Sequence, residues 1–280
     1  MKIIKSENEI IKYCRSLNKT TAFVPTMGSL HGGHIRLMGE AKKHSDFLIA
    51  SLFINPLQFN NQSDLLNYPK NLEKDIKIFE RNNVDLLFIP ERKDIIGPKL
   101  KNINSGPQGK ILEGKFRPGH FDGVLTIVNK FLELIKPNYA LFGTKDLQQL
   151  CLIFSKLSYL HNTKIIPVET VRDSNGLALS SRNNLLSDDE KEIASIISKG
   201  LSYLENELKE NKLLNIHNFL SNFYNQNKYI EIEYILTERL SVFNEKNIYI
   251  KDLFGGKDYN AVMVAAKIRG VRLIDNLIFS

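Results

Sequence analysis

Two histidines three residues apart close the stretch Pro25-Thr-Met-Gly-Ser-Leu-His-Gly-Gly-His34. On a helix that has begun by His31 they share one face, and both rings can donate to a single anion. Gly28 supplies a turn, and a helix start offers N–H groups and a positive dipole end suited to a phosphate. The same residues also fit a plain helix-capping pair. They fit zinc less well, because no further Cys, His or acidic ligand lies nearby at metal spacing. Four further clusters carry chemistry: Asn55 with Gln58; Arg117, His120 and Asp122; Gly143-Thr-Lys-Asp146 with Gln149; and Ser180, Ser181 and Arg182. Lys145 is a mobile cation that can follow a phosphate charge, and Ser180 to Arg182 offer hydroxyls, amides and a guanidinium for a polyphosphate. Asn55 and Gln58 suit a polar substrate or a simple Asn-Pro turn, and Asp146 and Gln149 also stand in N-cap and N3 register for a helix. The set is cationic and amide-rich with no obvious nucleophile. That suits adenylyl transfer, where catalysis is mainly positioning and charge stabilisation at a phosphate.

The elements that must position these groups follow from periodicity. Residues 3–18 have helical spacing, with Ser6 and Glu9 in capping-box register. An apolar run over 21–24 reads as a buried strand whose ladder Pro25 ends, and a helix should follow to about His44. Residues 47–54 form a nearly continuous apolar run, as in a central strand covered on both faces. A helix is expected over 72–82, with Leu72, Ile76 and Phe79 on one face and Glu73 and Asp75 in its first turn, then a strand over 84–90. The Lys-, Gly-, Asn- and Pro-rich residues 91–115 suggest a mobile loop or flap. Another helix (124–135), a strand (139–142), a helix through Leu157 and a strand over 164–171 follow; Pro167 puts the last at an edge or strand end. Alternation of strand and helix predicts an α/β fold, a doubly wound, Rossmann-like parallel sheet that binds its ligand beyond the strands' carboxyl ends. From the Ser187–Glu190 capping box onward the pattern becomes two helices and alternating segments at 229–235, 248–251, 261–266 and 271–274. The division is thus residues 1–183, ligand-binding, and residues 184–280, a smaller α+β domain.

Composition narrows the function. The 280 residues are 42% apolar and 25% charged, as in ordinary globular proteins, and two cysteines exclude a disulfide scaffold. Without a membrane-length apolar run or a signal-like start, a cytoplasmic protein is expected. The formal charge of +7 invites nucleic acid, but the lysines are scattered beside acidic residues and no RNA- or DNA-binding motif appears. Neither nucleic acid nor membrane is an expected partner.

The histidine stretch resembles the His-x-Gly-His signature of the nucleotidyltransferase superfamily and, more narrowly, the opening motif of the pantothenate synthetase (pantoate–β-alanine ligase) family. The stretches Phe53–Phe59, Tyr68-Pro-Lys, Leu112–Phe121, Phe142–Gln149, Gly176–Asn183 and Arg272-Leu-Ile-Asp-Asn276 are similar to that family in the same order, over essentially the whole chain. The resemblance implies ATP-dependent condensation of pantoate with β-alanine through a pantoyl adenylate, releasing pyrophosphate and AMP, in coenzyme A precursor biosynthesis. It implies ATP and Mg2+ as cofactors and a homodimer. Residue by residue, Met27, Gly28, Ser29, Leu30, His31, Gly32, Gly33 and His34 would line ATP, together with Gly143, Thr144, Lys145, Asp146, Val171, Leu179, Ser180, Ser181 and Arg182. His34 would be the acid, with His31, Lys145 and Arg182 on the phosphates. Gln58 and Gln149, with Asn55 beside them, would hold pantoate, and Asp75 would place the metal. Thr144 stands where the family usually has Glu, Lys70 where it has Arg, and Gly32 where an acidic residue is common. Rival readings are another adenylyltransferase, acting on a nicotinamide or pantetheine nucleotide, a basic RNA-binding module, and a structural protein.

Overall fold

Short, largely apolar segments, the inner four buried on both faces, make the six strands of the main sheet: β1 (Lys2–Ile4), β2 (Thr21–Thr26), β3 (Phe47–Leu52), β4 (Leu86–Phe88), β5 (Tyr139–Gly143) and β6 (Lys164–Val168). The structure is a computed structural model, and it describes residues 1–210 and 215–280. All pairings in this sheet are parallel, in the order β1-β4-β3-β2-β5-β6. Successive connections leave β2 toward β3 on one side, and the chain returns to β5 on its other side. The crevice between β2 and β5 is therefore the switch point where such sheets bind ligands. Helices Gly32–His44, Leu72–Arg81, His120–Ile135 and Leu147–Leu157 cover the sheet. Among them, Phe131 meets Phe23, Phe53 and Phe88 edge to face.

Pro25 does not end β2. Phe53 N–H donates to the Thr26 carbonyl, so even-numbered residues of β2 bond toward β3, while Asn138 N–H donates to Thr21 on the β5 side. The absent N–H of Pro25 thus faces β5, where pairing already stops at Phe23–Ala140. A missing donor costs nothing where no acceptor is opposite.

Residues 3 and 4 are strand rather than helix. Lys2 N–H donates to the Asp85 carbonyl, and Ile89 N–H donates to that of Ile4, whose side chain is buried. The helix begins only at Glu7, and Ser6 caps it without a side-chain hydrogen bond. Helix Leu72–Arg81 forms where expected, but Leu72 is exposed and buried Asp75 takes an inward place. The stretch 91–115 is stitched down rather than left as a flap. Ile103 N–H donates to Thr126, Ser105 to Asp122, and the Gln148 amide to the carbonyls of Gln108 and Ile111.

After Ser187, whose predicted capping box with Glu190 forms, the architecture changes. Strands β7 (Ile230–Arg239), β8 (Asn260–Ile268) and β9 (Val271–Phe279) make an antiparallel sheet in that order. Helices Asp188–Lys209 and Ile216–Tyr224 pack on it. Arg269 and Gly270 both have positive φ, as a two-residue hairpin turn requires. The segment 248–251, expected as a strand, makes only the Glu245–Ile248 bridge before a short helix, Ile250–Leu253. One apolar core runs from Phe131 through to Met263 and Ala265 of β8, so the two sheets are not separately cored. No helix among the described residues is long and apolar enough to cross a membrane.

Candidate active site

The cleft lies over the carboxyl ends of β2 and β5. Its wall includes Met27, His31, Gly33, His34, Asn55, Gln58, Gly143, Lys145, Asp146, Gln149, Val171, Leu179, Ser180, Ser181 and Arg182, so the structure brings most of the expected residues together. Gly28, Ser29, Leu30, Gly32, Thr144 and Asp75 lie behind that wall. Gly28 and Ser29 have φ of +83° and +52°, a turn whose successive N–H groups form an anion-holding concavity. The anion it holds is internal. Ser29 and Leu30 N–H donate to the two oxygens of Asp75, each at 2.9 Å. Asp75 is 2% exposed, and in the free protein its carboxylate is a buried strut for the histidine turn. A Cβ on Gly28 would stand 2.9 Å from that carboxylate.

The helix start is likewise occupied by protein. His31 is the N-cap of helix Gly32–His44, and its Nδ1 accepts from Gly33 N–H at 3.1 Å, while His34 Nδ1 accepts from His31 N–H at 3.3 Å. The capping reading of the pair therefore holds. A backbone N–H can only donate, so each Nδ1 carries the lone pair and each neutral ring holds its proton on Nε2. The rings lie 4.2 Å apart between centroids. Burial, with Lys145 adding to it, pushes His31 down to about 4; burial and then His31 push His34 down to about 3. Two neutral Nε2–H donors, backed by the helix dipole, are what this turn presents. His34 is therefore a neutral hydrogen-bond donor in the free protein.

Across the cleft, Asn55 caps the short turn Pro56–Gln58, and its Nδ2 reaches the Gly123 carbonyl at 3.0 Å and Gln58 Oε1 at 3.1 Å. Asn55 thus orients Gln58, whose Nε2 has no protein partner among the described residues. Gly123 must be glycine here, because a Cβ would stand 2.2 Å from the Leu57 carbonyl oxygen. His120 Nδ1 donates to the Gln58 carbonyl at 2.8 Å and its Nε2 accepts from Arg117 at 3.2 Å, which fixes the opposite tautomer. Burial, then Arg117, lowers His120 to about 4. Arg117 and His120, a polar cluster in the sequence to which no ligand is assigned, line the cleft together with Tyr68, marked in the sequence only by the family-like stretch Tyr68-Pro-Lys. The density of Arg, His and Gly at 116–123 was the available signal for the first two.

The predicted capping by Asp146 and Gln149 does not form. Asp146 instead accepts from Lys145 Nζ at 3.1 Å, and Gln149 faces the cleft. On the far side, Ser181 donates to the Tyr68 hydroxyl at 3.4 Å, and Arg182 meets Asp64 at 3.1 Å in a partly exposed pair that an incoming anion can replace. Among the described residues, the Thr144 hydroxyl, at the family's Glu position, meets only that of Thr170.

At about pH 5.5, below the ordinary histidine value, long-range 1H–15N spectra should show His31 and His34 neutral with Nε2–H and His120 neutral with Nδ1–H. Imidazolium signals for all three would contradict the hydrogen-bond assignment. The linkage has a definite sign. Each ring binds fewer protons folded than unfolded, so this stabilisation is complete above about pH 6.5 and is lost progressively as pH falls toward about 4.

The family model for pantoate-beta-alanine ligase matches residues 2–278. The chain is 40% identical over 269 residues to the pantothenate synthetase of Cytophaga hutchinsonii, covering 93% of this chain and 92% of that one. The crystal structure of pantothenate synthetase from Thermus thermophilus superposes with a TM-score of 0.87 at 30% identity, over 99% of each chain. The pantoate-beta-alanine ligase of Francisella tularensis, solved with beta-gamma ATP and β-alanine, gives 0.75 at 36% identity, over 99% of this chain and 97% of that one.

Proposed function

This chain belongs to the pantoate–β-alanine ligase family, and from that membership we propose how its own residues carry out the ATP-dependent condensation of pantoate with β-alanine. The pantoate carboxylate attacks the α-phosphorus of ATP, the bond to the β-phosphate breaks, and pyrophosphate leaves. The β-alanine amine then attacks the acyl carbon of the pantoyl adenylate, loses a proton and expels AMP. The observation that carries the residue assignment is the reciprocal histidine cap. It leaves the Nε2–H groups of His31 and His34 as preorganised donors, which need no reorganisation as charge develops on the phosphates. Lys145 exchanges Asp146 for the phosphates, and Arg182 exchanges Asp64. Gln58 and Gln149 hold pantoate through its hydroxyls and carboxylate, with Asn55 orienting Gln58 rather than touching substrate. Val171 and Leu179 pack beside the adenine.

Magnesium supplies neutralisation of the phosphate charge when bound. It prefers phosphate and water oxygens with one or two carboxylates, and Asp146 is a carboxylate on the cleft wall that suits it. Among the described residues no group of three His, Cys, Asp or Glu could hold a metal alone, so the ion is read as arriving with the nucleotide. A homodimer belongs to the same reading and rests on the resemblance.

Pyrophosphate release from ATP and magnesium should require pantoate, and AMP and pantothenate should then appear only when β-alanine is added. A protein that binds ATP but shows no pantoate-dependent release would overturn the substrate assignment and leave the nucleotide site standing.

A further inference from the structure

The terminal motif Arg272–Asn276 lies on β9, at the edge of the small sheet, yet its last two side chains reach the loops of the large one. Asn276 Nδ2 donates to two consecutive carbonyls, Thr144 at 3.0 Å and Lys145 at 2.9 Å. These belong to the three-residue turn Thr144–Asp146 that joins β5 to its helix and has no side-chain cap of its own. The neighbouring Asp275, 4% exposed, takes two hydrogen bonds from Arg172, at 2.6 and 2.9 Å. Arg172 Nη1 also donates to the Gly176 carbonyl, which closes the loop leading to Ser180. Adjacent residues of one strand thus grip the two loops that bring Lys145 and Arg182 to the cleft.

The grip on the turn is chemically selective. A side-chain amide carries two N–H donors on one nitrogen, whereas a carboxylate has none and a hydroxyl has one and is shorter. With both carbonyls held, the backbone of Lys145 is fixed, and so is the direction from which its flexible stem sends Nζ into the cleft. We propose that Asn276 is a positioning residue that aims Lys145 at the nucleotide phosphates. This rests on reading Lys145 as a phosphate contact. A displacement of about 1 Å at such a contact is enough to matter for a rate.

The test is a double-mutant cycle of Asn276→Leu and Lys145→Ala, read both in ATP affinity and in pantoate-dependent pyrophosphate release. Asn276→Leu alone should weaken ATP binding and lower kcat/KM for ATP about tenfold, with KM for pantoate changed less than about twofold. In the Lys145→Ala background the same change should cost less than about twofold, because the group it aims is gone. An equal loss in both backgrounds would make the amide a general structural brace and overturn the proposal, as would no loss at all. Asn276→Ser, smaller and still polar, runs the same cycle if the leucine variant does not fold. Absence of pantoate-dependent release in the wild type would count against the reaction assigned above. The ATP-affinity cycle would still decide the role of Asn276.

Discussion

His34→Ala is expected to lower kcat/KM for pantoate-dependent pyrophosphate release by about 10²–10³, the usual loss when one preorganised donor to a developing negative charge is removed. The argument rests on what the ring does, not only on where it is. His34 Nδ1 is occupied by His31 N–H, which leaves Nε2–H as the one polar group the ring can turn to a phosphate. Alanine removes that donor and half of the helix cap as well. The cap by itself is worth about 1 kcal/mol of stability. His34→Gln separates the two effects, because a glutamine amide can place an N–H near the Nε2 position. It should recover part of the rate, whereas alanine should not. Steady-state rates for the three proteins, with melting temperatures alongside, decide the matter. Retention by the alanine variant of more than about a tenth of the wild-type kcat/KM would sink a donor role for His34.

The largest expected effect on stability comes from Arg272→Met. Glu113 is 6% exposed and accepts from Arg272 twice, at 2.7 and 2.8 Å, and from the Tyr234 hydroxyl at 2.7 Å. Arg272 also donates to Glu233 at 2.7 Å. Burial would raise the Glu113 carboxyl, yet the hydrogen bonds and charge of Arg272 prevail and hold it below the usual carboxylate value. Methionine replaces the stem but leaves a buried carboxylate with Tyr234 and the more distant Arg117, 3.5 Å away. Removing one partner of such a pair costs about 3 kcal/mol, or about 5–10 °C in melting temperature for a chain of this size. The pH dependence carries a sign. Because the folded pKa is depressed, the stabilisation is present above about pH 4.5 and is lost as pH falls below it. The gap between wild-type and variant melting temperatures should therefore be widest near neutrality and narrow under acid. Thermal melts of both proteins at neutral and acidic pH test this, and coincident melting at neutral pH would show that the network contributes nothing. Arg117 ends the short helix that Glu113 begins and holds His120, so the rate should fall with the network as well.

By itself the sequence determined the parallel doubly wound sheet, the small α+β region after Ser187 and the strand ends that bear polar groups. These follow from local quantities: apolar period, the capping box and the placement of Gly and Pro. They are legible because each is decided within a few residues. The resemblance carried over the full chain then named the chemistry.

Only the tertiary structure decided how individual polar atoms are used. Asp75, Asn55 and Asp146 are all residues that cap helices or bind ligands, and nothing local separates the two uses. Their fates differ because the fold assigns the partners: contacts distant in sequence give Asp75 to the turn at Ser29 and Asn55 to Gly123, while Asp146 pairs with its own neighbour Lys145 instead of capping. Ile3 and Ile4 have helical spacing and yet form a strand for the same reason, since β1 exists only because β4, some eighty residues on, offers an open edge. The tautomers of His31 and His34 and the reach of Asn276 across the two sheets lay equally beyond pattern. A hydrogen bond is directional and short-ranged, so its partner is known only once the chain has brought the two atoms within about 3 Å.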